Sequence, residues 1–144
     1  MDACLVCALP GSFRNFAFPH QTPHGETMHW LACSHVLVVS SVMEGGANVI
    51  CEAARIGVPV LASRVPGNIG MLGRDYPGYY TLRDDRALAR LLERTATDPK
   101  YFRALRNAVS SRRRLFAPSA EGRAVRRLVR ELAPRAERIR RRRD

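Results

Sequence analysis

Two glutamates eight positions apart, Glu44 and Glu52, with Gly45-Gly46 directly after the first, state the chemistry of this sequence. They lie between two apolar runs, Val36-Leu37-Val38-Val39 and Val58-Pro59-Val60-Leu61-Ala62. Glycine has no Cβ, so the backbone at 45 and 46 can come close to a ligand. A helix opening behind that turn presents unpaired N–H groups and the positive end of its dipole, which favour a phosphate. A carboxylate beside an anion site is better employed in accepting hydrogen bonds from hydroxyls. Acceptors at both ends of an anion-binding helix start describe a diphosphate with hydroxyl-bearing groups on either side, which is a nucleotide sugar. A glutamate near a helix N-terminus also serves the dipole alone, and a mid-helix glutamate also serves as a solvated face. Spacing by itself leaves both readings open.

The elements that must position these residues follow from the flanking pattern. The β-branched run at 36–39 predicts a strand buried on both faces of a parallel sheet. Residues 47–56 have helical spacing, with Val49, Ala53 and Ile56 on one side, and Gly57 predicts a left-handed cap. Residues 58–62 predict the next strand, completing a βαβ unit. Upstream, 4–9 reads as a strand and 26–34 as a short helix with Met28, Leu31 and Ala32 on one face. Downstream, 63–73 reads as a turn-rich loop with at most a short helical piece, at the same carboxyl edge as Glu44. Arg64 is there the nearest strong cation to a diphosphate, with a surface arginine as the competing reading. A short aromatic strand ends at Leu82, Asp84 caps a helix over 85–96 with Leu88, Leu91 and Leu92 buried, and Asp98-Pro99 starts a helix over 99–116. Its apolar face is Tyr101, Phe102, Leu105, Ala108 and Val109. A last amphipathic helix over 119–133 groups Val125, Leu128, Val129 and Leu132, and Pro134 ends or kinks it. The expected fold is α/β: a Rossmann-like parallel sheet with flanking helices and a helical C-terminus. Three parts are expected: a weakly patterned segment 1–25, a nucleotide-sugar-binding domain 26–117, and a C-terminal helix with an arginine-rich tail at 118–144.

The chain has 144 residues and a formal net charge of +11, enough for one domain with a core and too short for two α/β domains of ordinary size. Residues 1–100 carry nine Lys and Arg against nine Asp and Glu, and residues 101–144 carry fifteen against four, so the whole excess is C-terminal. Arg138 and the run 140–143 read as a solvated tail. The alternative is a basic nucleic-acid-binding protein using the C-terminal arginine-rich helix and tail; the tail has no aromatic residue to stack on bases, which puts nucleic acid second. No apolar run reaches the ~18 residues of a membrane span, and the N-terminus has no basic-then-apolar leader, which reads as a cytoplasmic chain with no membrane partner. Cys4 and Cys7 form a C-x-x-C pair followed by His20, His24, His29 and Cys33. That scatter lacks the second close pair zinc would want, so free thiols and no metal are expected.

On these residues the chain resembles the C-terminal half of a GT-B glycosyltransferase, in the large retaining-type family whose signature is two glutamates separated by seven residues. Gly45-Gly46 follow the first glutamate, Ala53 follows the second, and Gly57-x-Pro59-Val60 comes next as that pattern has it. It is similar in particular to the selenosugar synthases of selenoneine biosynthesis, through Met43-Glu44-Gly45-Gly46-Ala47-Asn48-Val49, Pro59-Val60-Leu61-Ala62-Ser63, Pro66-Gly67-Asn68-Ile69-Gly70-Met71-Leu72-Gly73 and Asp75-Tyr76-Pro77-Gly78-Tyr79-Tyr80. The resemblance spans roughly residues 26–132. It implies UDP-glucose or UDP-N-acetylglucosamine as a donor substrate, with no cofactor and no metal. It also implies that Glu44, Gly45, Gly46 and Ala47 hold the sugar, Glu52 the ribose, and Asn48 and Val49 the diphosphate, to which Arg64 is added by its place in the sequence and not by the resemblance. For the selenosugar group the implied acceptor is selenophosphate. A GT-B enzyme carries its acceptor site in an N-terminal domain, for which the 43 residues before Glu44 leave no room. The expectation is a truncated chain, incomplete as a catalyst alone, whose sheet edge is covered by a missing N-terminal domain or an oligomer. An inert gene remnant is a third reading.

Overall fold

The computed structural model describes residues 3–9, 12–17, 23–43 and 47–140. Glu44, Gly45 and Gly46 lie outside the described residues, as do 141–144 of the arginine run. Two compact units divide the chain, Met1–Arg113 and Arg114–Asp144.

The first unit contains, in chain order, β1 (Ala3–Leu9), β2 (Ser12–Ala17), α1 (His24–Ala32), β3 (Val36–Val39), α2 (Asn48–Ile56), β4 (Val60–Ser63), α3 (Pro66–Leu72), β5 (Tyr79–Tyr80), α4 (Asp85–Thr97) and α5 (Pro99–Ser111). The strands form one sheet in the order β2-β1-β3-β4-β5. Strands β3, β4 and β5 are parallel, with Leu37 opposite Val60 and Ala62 opposite Tyr79. The expected α/β architecture, a parallel sheet with flanking helices, is the observed one. All four residues of β3 and all four of β4 are buried, as continuous apolar strands are when both faces are covered.

Helix α2 stops where the sequence says it must. Gly57 has φ 91 in the left-handed region, and its N–H donates to the Ala53 carbonyl at 2.7 Å, which closes an orphan carbonyl of the last turn. The buried face of α2 is Val49, Ile50, Ala53 and Ala54. Ile56, expected on that face, is 38% exposed, because in the last turn it falls just past the edge of the arc that those four residues cover.

At the other side of the sheet the sequence reading was less complete. Strand β1 pairs antiparallel with β3, Ala3 opposite Val39, and β2 pairs antiparallel with β1. The edge of β3 that a shortened parallel sheet would leave open is therefore taken from within the chain. The strand at 12–17 was not foreseen, since Phe13, Phe16 and Phe18 do not alternate with period two.

Helices α4 and α5 begin at side-chain caps. Asp84 accepts from the Ala87 N–H at 2.8 Å, and Asp98 accepts from the N–H groups of Lys100 at 2.9 Å and Tyr101 at 3.1 Å. Tyr101, Leu105 and Val109 of α5 are buried, for α5 packs against both α2 and β4. Leu88, Leu91 and Leu92 of α4 are only half-buried, a correction whose cause is position: α4 packs beside the two-residue β5 at the sheet margin. The expected continuation of α5 to residue 116 also fails. Arg112 caps the helix and sends its Nε to the Met71 carbonyl at 3.0 Å, closing the C-terminal end of α3 instead.

In the second unit, α6 (Pro118–Arg140) runs past Pro134, where the sequence predicted an end or a kink. Val125, Leu128, Val129 and Leu132 lie on one side of it and are 50–58% exposed. Arg127 and Glu131 pair one turn apart at 2.8 Å. Among the described residues, no helix is long and apolar enough to cross a membrane.

Candidate functional site

Because β3 and β4 are adjacent and parallel, the segments leaving their carboxyl ends share one edge of the sheet. The first leads to α2 and the second to Arg64 and α3. This is the crevice position at which open α/β sheets bind ligands.

Among the described residues, no side chain caps the N-terminus of α2. Ala47 is its N-cap residue, in extended conformation, and offers no side-chain acceptor. Ile50 N–H returns to the Ala47 carbonyl at 2.9 Å, which leaves the N–H groups of Asn48 and Val49 as first-turn donors with no capping side chain among the described residues. Ala47 is wholly buried, Val49 is buried and Asn48 is exposed. Glu52, one turn further on, is half-buried. Of the sequence-nominated residues, the structure thus gathers Ala47, Asn48 and Val49 at one helix start, with Glu52 behind them and Arg64 at the end of the neighbouring strand. The sugar-side residues Glu44, Gly45 and Gly46 belong to the undescribed segment.

Arg64 is exposed, and its guanidinium lies over the Tyr79 ring at 5.3 Å from the centroid, close enough for a cation–π contact that orients the side chain. Its backbone N–H donates to the Tyr80 carbonyl at 2.9 Å. Burial pushes the Tyr79 phenol up to about 12, against the opposing pull of Arg64 and Arg112. The Tyr79 hydroxyl therefore stays a donor, reaching the Gly73 carbonyl at 2.9 Å and the Asn68 carbonyl at 3.1 Å. Tyr80, likewise pushed to about 12 by burial and then by Asp85, donates to the Val39 carbonyl at 3.2 Å and so ties β5 to the end of β3.

Three residues that the sequence reading did not single out hold this edge together: Ser41, Ser63 and Asn68. Ser63 Oγ donates to the Ser41 carbonyl at 2.8 Å, joining the segments after β3 and β4. Asn68 Nδ2 donates to Ser63 O at 2.9 Å and Ser63 Oγ at 3.2 Å. The signal was present, a serine ending an apolar strand with an asparagine five positions on, but its partners lie in another part of the chain.

Elsewhere, His29 Nε2 and Cys33 Sγ approach to 3.9 Å on the exposed side of α1. Among the described residues no group of three or more His, Cys, Asp or Glu side chains is placed to hold a metal ion. The side chains of Cys4 and Cys7 are outside what is described.

Comparison with curated protein sequences finds no match. Among solved structures, the fold is similar to sucrose-phosphate synthase from Thermosynechococcus elongatus, with TM-score 0.69 and 29% sequence identity over 81% of this chain. The matched part is 30% of the length of that synthase chain. The sheet and its helices are those of a GT-B glycosyltransferase fold. The family model described as "Glycosyl transferases group 1" matches residues 13–112, which takes in β3, the glutamate pair, the uncapped start of α2, Arg64 and α3. The chain belongs to the glycosyl transferases group 1 family.

Proposed function

We propose that the edge formed by the carboxyl ends of β3 and β4 is the donor site of a glycosyltransferase and binds a UDP-sugar. The observation that carries this reading is the uncapped start of α2, with two first-turn N–H donors beside the segment that carries Arg64. Backbone donors and a guanidinium together favour a diphosphate. In this reading Asn48, Val49 and Arg64 take the diphosphate, Glu52 accepts from the ribose hydroxyls, and Glu44, Gly45, Gly46 and Ala47 meet the sugar.

The donor is UDP-glucose or UDP-N-acetylglucosamine, and the acceptor is selenophosphate, whose selenium attacks the anomeric carbon as the bond to UDP breaks. Support for that acceptor is the run of similar strings from Met43 to Tyr80. The physical work at this site is holding the departing diphosphate, whose developing charge the α2 N–H groups and Arg64 offset. Since the chain spans 30% of the length of the synthase it matches, we assign to it the donor half of the reaction, with the acceptor side supplied by a further domain or partner chain. Nothing in the fold or the family match supports the nucleic-acid alternative.

Calorimetric titration with UDP and UDP-N-acetylglucosamine tests the reading. Glu52→Ala is expected to weaken UDP more than Glu44→Ala does, because UDP carries the ribose and lacks the sugar. A folded sample that fails to bind either ligand at millimolar concentration rejects the donor site.

A further inference from the structure

Ser63, the last residue of β4, and Asn68, in α3, are both at 0% exposure. Ser63 Oγ gives its one proton to the Ser41 carbonyl at 2.8 Å, so toward Asn68 it can only accept. The Asn68 amide must therefore turn its NH2 to Ser63, as it does at 2.9 Å to the carbonyl and 3.2 Å to Oγ. The bonds run in one direction, Asn68 to Ser63 to Ser41, and cross from the segment after β4 to the segment after β3. Asn68 is also reached at its backbone carbonyl by the Tyr79 hydroxyl, at 3.1 Å. Among the described residues the Asn68 Oδ1 atom has no hydrogen-bond partner, so what ties this side chain to them is its donor end.

The geometry points to Asn68 as a positioning residue of the donor site: acting through Ser63, it sets the spacing between Ser41, where the chain has just left β3, and Ser63, where β4 ends. This rests on the donor-site reading above and adds a residue that does not touch the ligand. An apolar side chain at 68 removes the relay. An ionised aspartate inverts it, setting acceptors against the Ser63 acceptors, whereas a protonated aspartic acid restores one donor. Ionisable groups in contact with this segment include Tyr79, whose hydroxyl reaches the Asn68 carbonyl and which burial holds up to about 12, Arg64 over the Tyr79 ring, and Arg112 on the Met71 carbonyl; α2, with Glu52 and Arg55, packs against α3.

The test is calorimetric titration of UDP into the unaltered protein, Asn68→Asp and Ser63→Ala at about pH 5 and about pH 8, since a buried carboxyl titrates upward into that interval. Asn68→Asp is expected to bind on the order of 10-fold more weakly at the higher pH and to recover at the lower one. Ser63→Ala, which cuts only the Oγ link, should lose affinity equally at both. In the free protein, the amide nitrogen resonance of Val42, whose peptide group contains the Ser41 carbonyl that accepts from Ser63 Oγ, should move in both variants. Binding by Asn68→Asp that equals the unaltered protein at both pH values overturns the positioning role and leaves the donor site standing. A loss in Asn68→Asp that does not change with pH marks a purely structural asparagine and overturns it too, as does an unmoved Val42 amide resonance. Failure of the unaltered protein to bind UDP rejects the donor site itself. Should Asn68→Asp not fold, Ser63→Ala and its Val42 amide resonance decide.

Discussion

The Tyr76 hydroxyl stands between the two backbone polar groups of Val60, accepting from its N–H at 3.1 Å and donating to its carbonyl at 2.7 Å. Strand β5 begins only at Tyr79, and its side of the ladder first reaches β4 when Ala62 N–H donates to the Gly78 carbonyl at 2.9 Å. A phenol thus takes the place of the strand that β4 lacks at its start, and burial raises its pKa accordingly.

Replacing Tyr76 with Phe keeps the ring and strands both Val60 groups. A buried donor and acceptor left unmade cost about 1–3 kcal/mol, so the urea midpoint should fall by a matching amount with the m-value unchanged. An unchanged midpoint would show that Val60 finds other partners.

Gly78 is required by contact rather than by conformation. A Cβ there would run into the Val60 carbonyl, the Tyr76 ring and Leu105, two of the three being parts of the packed sheet and α5 interior. Gly78→Ala should destabilise by about 1–3 kcal/mol, the range for overpacking a core. Thermal unfolding of this variant beside Gly70→Ala, where a Cβ meets nothing within 4 Å, separates the contact from a general effect of losing glycine.

Arg64 is predicted to act on the phosphates alone. Arg64→Gln should raise the dissociation constant for UDP roughly 10-fold, about 1.4 kcal/mol, while leaving uridine unaffected. The salt dependence of UDP binding should also flatten. Equal losses for UDP and uridine would assign Arg64 to the shape of the cleft, through its seat on Tyr79, instead of to charge.

Alkaline stability should follow the tyrosines. Tyr79 and Tyr80 are both pushed to about 12 in the folded chain, above the value of about 10 expected unfolded. The unfolded state releases those protons first, so the stability tied to them is fully present below about pH 10 and is lost as pH climbs toward about 12. Urea midpoints measured across that interval should decline, and more gently in Tyr79→Phe. A flat profile in the unaltered protein contradicts the assigned burial.

Signals contained within a few residues were legible in the sequence. The caps at Asp84, Asp98 and Gly57, the continuous apolar strands β3 and β4, and the helix between them follow from local hydrogen bonding and periodicity, although β4 runs over Val60–Ser63 where the pattern put 58–62. Several boundaries moved; α5 stops at Ser111, and the Arg112 that caps it reaches across to the Met71 carbonyl of α3. The proposed donor site was legible in part for the same reason, since an alanine at the N-cap of α2 can be read in line, whereas Ser63 and Asn68 look like ordinary loop polar residues.

What the chain's own order determined, then, is a parallel βαβ unit with an anion-ready helix start, because backbone geometry and capping are decided over one or two turns. Only the tertiary structure decided that β1 closes the side of β3, that the leucines of α4 stay half in water, and that Asn68 reaches Ser41 through Ser63. Burial and hydrogen bonding between residues twenty or more apart depend on which elements become neighbours, and no local pattern carries that information.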